Sequence, residues 1–177
     1  GAFRYYKGLH TLLEAAHTTS LPIVIVGGGG IESDIKAKAE ELNLTNVHFV
    51  GSLPDEDKAA LLKLCTAIVF PSHLRSEAFG ITLLEGAMYG KPLISCEIGT
   101  GTSFINLDGY SGFVIPPNDP VRLRQVMQEL YSNPELAKRY GSNAYARFKD
   151  VFTSEKMLTD YSAVYRELYT VDKKNHS

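Results

Sequence analysis

Pro71-Ser72-His73-Leu74-Arg75-Ser76-Glu77-Ala78-Phe79-Gly80-Ile81-Thr82-Leu83-Leu84-Glu85-Gly86-Ala87-Met88 follows the apolar run Thr66-Ala67-Ile68-Val69-Phe70 and leads into a helix-periodic segment that closes near Gly90-Lys91-Pro92. A buried strand, a polar loop and a helix in that order put the loop at the carboxyl end of a sheet. That is where open α/β folds bind ligands. A helix opening near Phe79 directs the unpaired backbone N–H groups of Phe79, Gly80, Ile81 and Thr82 outward, and Gly80 lets a ligand come close to the main chain. The junction therefore reads as an anion site, with Glu77 before the helix and Glu85 about two turns later.

Outward from this junction, apolar strands alternate with helical patterns. Strands are expected at 21–26, 46–50, 67–70, 92–96 and 112–115, with Gly1-Ala2-Phe3 as the end of a further strand already in progress. Helices are expected at 8–19, 31–42, 55–64, 79–89, 102–107, 120–131, 134–148 and 154–169. Near-continuous apolar strands separated by helices imply a parallel sheet covered on both faces. The expected fold class is α/β, a Rossmann-like three-layer domain with about six parallel strands followed by C-terminal helices. A nucleotide-sugar-binding domain is placed at 1–152, a last helix at 153–170 and a polar tail at 171–177. The abrupt start at Gly1 suggests a fragment of a longer polypeptide.

Composition excludes several classes. The net charge is −2 across 177 residues, and Lys and Arg are scattered, which argues against a nucleic-acid partner. No apolar run reaches the ~20 residues of a membrane span, and no signal peptide is expected. Cys65 and Cys96 lie inside apolar runs and read as free core thiols of a reducing compartment. A cytoplasmic protein is expected.

Three motif echoes dissolve on inspection. The run Gly27 to Gly30 fails the dinucleotide fingerprint because Glu32 or Ser33 stands where a third glycine is needed. Gly86 to Pro92 echoes a P-loop but has one residue too few between its glycines and Pro92 where Ser or Thr must bind magnesium. Asp55-Glu56-Asp57 opens a helix after Pro54, where acidic side chains suit the positive end of the dipole, so no metal site is assigned. His73 and Arg75, in the loop before Glu77, are not assigned as catalytic.

Carboxylates accept well from vicinal hydroxyls. An anion site between Glu77 and Glu85 thus fits a nucleotide sugar, and Lys7, between the first strand and a helix, is placed to neutralise a diphosphate over the same sheet edge.

Lys7-Gly8, Ile25-Val26-Gly27, Val50-Gly51, Phe70-Pro71-Ser72, Glu77 to Glu85, Gly90-Lys91-Pro92 and Gly112-Phe113-Val114-Ile115-Pro116-Pro117 together resemble, in order and over nearly the whole chain, the Glu-x7-Glu retaining glycosyltransferases of the GT-B fold. The resemblance implies one half of a GT-B fold, the donor-binding half, with the acceptor-binding domain absent from this fragment. It departs at Ala2, where the family usually carries arginine; Arg4 is the candidate replacement. It also places the Gly27-Gly28 turn over the diphosphate edge, Ser52 and Leu53 beside the nucleobase, and the last helix across to the other domain. On that helix Tyr161, Tyr165 and Tyr169 form one stripe, docked on its own core or exposed as half of an interface.

By resemblance, the full enzyme transfers a hexose from a nucleoside diphosphate sugar with retention of configuration. Stabilising the leaving diphosphate falls to Lys7, Arg4 and the N–H groups of Ile81 and Thr82, with no metal ion required. Glu85 is expected to hold the ribose and Glu77 the transferred sugar, with Phe79, Gly80 and Ile81 lining it. The opening segment and Gly99-Thr100-Gly101-Thr102-Ser103, a cluster that helix capping explains equally well, resemble bacterial O-antigen and capsule mannosyltransferases. That favours GDP-mannose, with a UDP-hexose close behind, and a glycan or lipid-linked acceptor at the inner membrane face, which the full-length enzyme would touch peripherally. Two alternatives remain: a GT-B-like sugar-nucleotide epimerase, and a nucleotide-sugar-binding domain that catalyses nothing.

Overall fold

The computed structural model describes the backbone of residues 1–175 and the side chains of residues 1–167. Five parallel strands form in the expected places: β1 (Ile23–Val26), β2 (Val47–Gly51), β3 (Ile68–Phe70), β4 (Leu93–Cys96) and β5 (Gly112–Ile115). α1 (Leu9–Ala16) precedes β1, and between the strands run α2 (Glu32–Glu41), α3 (Asp55–Leu64), α4 (Ile81–Met88) and α5 (Gly101–Ile105). Three helices follow, α6 (Pro120–Ser132), α7 (Pro134–Val151) and α8 (Ser154–Asn175). The last helix runs past 170, and Ser177, His176 and the Tyr169 side chain lie outside the described residues.

The strands do not make the single sheet of about six that the sequence suggests. β1 pairs only with β2, and β3-β4-β5 form a separate ladder. Among the described residues no strand bridges β1 and β3, and Gly1 to Phe3 contribute only the isolated parallel bridge Ala2–Gly28.

Both ladders nonetheless share one core. Ile23 and Ile25 of β1, Ile94 and Cys96 of β4 and Phe113 of β5 pack with α1 and α6 in a single apolar cluster. On the opposite face Ile68, Phe70 and Leu93 pack with Leu83 and Ala87 of α4 and Ala144 of α7. The alternation within β4, with Leu93 to one side and Ile94 to the other, follows from strand geometry and produces the three layers. β4 is buried along its whole length. Burial pushes the Cys96 thiol up to about 11, as fits a core thiol.

A polar knot sits inside this core. The Asn106 amide donates to the carbonyls of Leu93 and Phe113 (3.3 and 2.9 Å) and to Ser95 Oγ (2.9 Å), and its own oxygen accepts from Ser111 Oγ (2.9 Å). It ties the loop after α5 to β4 and β5. The helix starts obey local chemistry: Asp119 and Asn133 accept from the N–H groups of Arg122 and Leu136, each just before a proline at the first helical position.

Candidate functional site

A 3-10 turn at Tyr5–Lys7 ends at Gly8, whose φ of 68° belongs to the left-handed region. Gly8 is pressed against the loop after β3, and the amide of His73 donates to Tyr6 O at 2.9 Å. This contact carries Lys7 across to the Glu77 loop, seventy positions away in sequence. Lys7 Nζ pairs with Glu77 Oε2, which also accepts from Ser72 Oγ at 3.1 Å. The ammonium also lies 5.0 Å from the Phe70 ring centroid and 5.3 Å from that of Tyr6. Glu77 is only 8% exposed, so a single cation and a single hydroxyl hold a nearly buried carboxylate.

The helix at this junction begins later than its periodicity suggests. Gly80 takes φ 98° and caps α4, which starts at Ile81, while Leu83 N–H already donates to Gly80 O. The helix tip therefore offers the N–H groups of Ile81 and Thr82, and those of Phe79 and Gly80 belong to the loop. Glu85, one turn further on, pairs with Lys58 at 3.4 Å; Lys58 also reaches Asp55 at 3.0 Å. Hydrogen bonding to Asp55 and the charge of Glu85 hold the Lys58 ammonium above its ordinary range. Lys7, Ser72, Thr82 and Glu85 are polar residues lining one groove of about 530 Å³, which Gly1 and Ala2 also line.

Other expected residues fall around this centre. Arg4 is exposed and its guanidinium lies beside Gly30, on the glycine turn. Gly27 and Gly28 form the crossing under the first residues: Gly28 O accepts from Phe3 N–H at 2.8 Å, and a Cβ on Gly27 would lie 1.8 Å from Gly1 O. Gly27 N–H donates to Gly51 O, so Ser52 and Leu53 follow directly beside that turn. The Phe79 ring turns toward Phe152, 6.3 Å between centroids, and Ile81 is exposed. In the Gly99 to Ser103 cluster, Gly99 N–H and Ser103 Oγ both donate to Glu97, and Thr100 at the helix start makes no side-chain cap.

Sequence reasoning missed Ser72 and Lys58. Ser72 had the signal of following Pro71 at a strand end, while Lys58 is one of many surface lysines and becomes informative only through its distance to Glu85. His73 is buried and packs edge-on to Tyr5 and His10 at 5.0 and 4.9 Å, with no hydrogen-bond partner for Nδ1 among the described residues. Asp55-Glu56-Asp57 occupies the first turn of α3.

A family model described as "Glycosyl transferases group 1" matches residues 1–147. The chain belongs to that family. It is 58% identical over 168 residues to the O-antigen chain mannosyltransferase C of Escherichia coli, covering 95% of this chain and 45% of the relative. It is also 58% identical over 154 residues to the D-rhamnosyltransferase WbpZ of Pseudomonas aeruginosa, covering 87% of this chain and 40% of the relative. This glycosyl transferase group 1 chain thus spans less than half the length of these two relatives. Its fold superposes with a TM-score of 0.82 on Anabaena HepE solved in complex with UDP, at 20% identity, over 96% of this chain and 47% of that one. The α/β half of a GT-B fold expected from the motif order is the fold observed. No helix among the described residues is long and apolar enough to cross a membrane.

Proposed function

We propose that this chain is the donor-binding half of a retaining hexosyltransferase of surface polysaccharide synthesis, taking its sugar from a nucleoside diphosphate sugar. The observation that carries the reading is the groove beside α4, which Lys7, Thr82 and Glu85 line together, with Glu77 paired to Lys7. The diphosphate sits between Lys7 and the N–H groups of Ile81 and Thr82, where charge developing on the leaving group is stabilised. Arg4 adds positive charge from the glycine turn. Glu85 holds the ribose hydroxyls, Glu77 holds and orients the sugar, and Ser52 and Leu53 lie toward the base.

The ion pairs of the groove bear on binding. Lys7 is held by Glu77 and Lys58 by Glu85, so each carboxylate meant for a hydroxyl starts with a lysine on it. An arriving diphosphate draws Lys7 toward itself and leaves a Glu77 oxygen for the sugar. Catalysis then needs no metal ion to carry the phosphate charge.

Similarity to the mannosyltransferase relative supports mannose and hence GDP-mannose as donor, and similarity to the rhamnosyltransferase relative supports a deoxyhexose in its place. The acceptor, a glycan or lipid-linked saccharide, binds through a further domain, and the complete enzyme works in the cytoplasm at the inner membrane face. Titration calorimetry of this chain with GDP, UDP and ADP tests the reading. Binding of GDP in preference to the others supports it, and failure of all three to bind removes it.

A further inference from the structure

Glu77 and Phe79 share one loop, and only the first of them is anchored by charge. Lys7 and Ser72 hold the Glu77 carboxylate, whereas the residues after it lean on segments far along the chain. Ala78 O accepts from Gly101 N–H at 3.0 Å, and a Cβ on Gly101 would lie 2.6 Å from Phe79 Cδ2 and 3.3 Å from Phe79 Cα, so the start of α5 presses directly on Phe79. The Phe79 ring then meets Phe152 edge-on, at an interplanar angle of 70°. Phe152 ends α7, directly before α8, and its ring also meets Phe104 of α5 edge-on at 5.6 Å. Arg147, earlier on α7, lies over both of these rings, 5.1 Å from the centroid of Phe104 and 5.6 Å from that of Phe152. Its guanidinium is fixed there by donating to Phe104 O and, through Nε at 3.2 Å, to Ile105 O.

A stack made only to bury apolar surface would be closed to water. Here Phe79 is 39% exposed and Phe104 54%, and what the edge-on rings and the guanidinium supply is a fixed orientation. The N–H groups of Phe79 and Gly80 meet no backbone acceptor among the described residues, so the segment that the stack holds is one with donors left for a ligand. From this geometry, and on the donor reading proposed above, we infer that Phe152, with Arg147 stacked on it, is a positioning residue for the transferred sugar: through Phe79 it sets the loop that carries Glu77. Its effect is confined to one end of the ligand. Lys7, Thr82 and Glu85 line the groove, and neither Phe152 nor Arg147 does, so loss of the stack falls on the sugar and spares the nucleotide. The junction of α7 and α8 thereby acts on sugar selection without touching the sugar.

Titration calorimetry of the 177-residue chain with GDP and with GDP-mannose measures the ratio of the two affinities. Phe152→Ala is expected to leave GDP affinity within about twofold and to lower the GDP-mannose to GDP ratio about three- to tenfold, the worth of one aromatic pair. Arg147→Met should lower the ratio about two- to fivefold, and Phe152→Tyr, which keeps the ring edge, should restore it. Val126→Ala, a fully buried position of α6 that does not line the groove, is the control: it destabilises the chain and should leave the ratio where it was. If Phe152→Ala does not fold, Phe152→Leu keeps apolar volume without the ring edge and carries the same expectation. A ratio unchanged in the folded variant, an equal loss of both ligands, or the same fall in Val126→Ala would overturn the positioning role and leave the donor reading standing. Failure of the unaltered chain to bind either ligand would remove the donor reading, and the positioning role with it.

Discussion

Gly8 sits so close to Pro71 that a Cβ on it would lie 1.9 Å from the Pro71 carbonyl oxygen. The contact joins the first residues to the Glu77 loop, because Lys7 reaches Glu77 only when residue 8 can press against this backbone. Gly8→Ala adds a methyl where there is backbone and forces alanine into φ 68°. The left-handed conformation costs about 1–2 kcal/mol, and relieving the clash must displace one segment from the other. Gly8→Ala is expected to lower the free energy of unfolding in urea by at least about 2 kcal/mol and to weaken nucleotide binding by calorimetry.

Glu77 is nearly buried and shares one oxygen between Lys7 and Ser72, so removing Lys7 leaves a carboxylate with one neutral donor. Lys7→Met is expected to destabilise the chain by about 1–3 kcal/mol, and Lys7→Met combined with Glu77→Gln to recover most of that loss. Urea denaturation of the two single variants and the double one forms the cycle that measures the coupling. Additive losses would show that the pair does not act as a unit.

On the proposed reading, the two carboxylates divide the donor between them. Glu85→Ala is expected to weaken GDP binding by roughly tenfold, the loss of about one good hydrogen-bonded contact. Glu77→Ala should leave GDP affinity nearly unchanged while reducing the advantage of GDP-mannose over GDP. Calorimetry with both ligands on both variants checks this, and unchanged GDP affinity in Glu85→Ala would remove the ribose role.

Burial, and after it the neighbouring His10, holds the His73 imidazolium below its ordinary 6.5. The unfolded chain therefore takes up a proton at a pH where the folded one does not. Stability from this group is complete above about pH 6.5 and falls as the pH drops below it. Since Nδ1 has no hydrogen-bond partner among the described residues, His73→Phe should cost little at pH 8 and should flatten the loss of stability as the pH falls below 6.5. Denaturant midpoints of both chains across that range provide the measurement.

Asn106→Ala should be among the most damaging single changes outside the groove. It leaves buried groups of Leu93, Phe113, Ser95 and Ser111 without their shared partner, at an expected cost of about 2–4 kcal/mol in thermal or urea unfolding.

The helix and strand positions were legible because their signals are local: apolar runs of strand length, and prolines after Asp119 and Asn133. The start of α4 was misplaced by two residues because Gly80, a permissive residue in the sequence, takes a left-handed conformation that ends the loop there. The count of strands in one sheet also went astray. An apolar run announces a strand without naming its neighbours, and pairing depends on which edges are brought side by side. The tyrosines of α8 were readable as a stripe with two possible fates; Tyr161 and Tyr165 prove to be 61% and 69% exposed.

Order along the chain was enough to determine the α/β class, the family and the acidic pair at the helix junction, since periodicity, turn residues and motif spacing are properties of neighbours. Only the folded structure decided that Lys7 meets Glu77, that Lys58 meets Glu85, and that the strands pair as two ladders, β1-β2 and β3-β4-β5. Each of these rests on segments distant in sequence being pressed together by a shared core, and the distances that then matter are set by packing rather than by spacing along the chain.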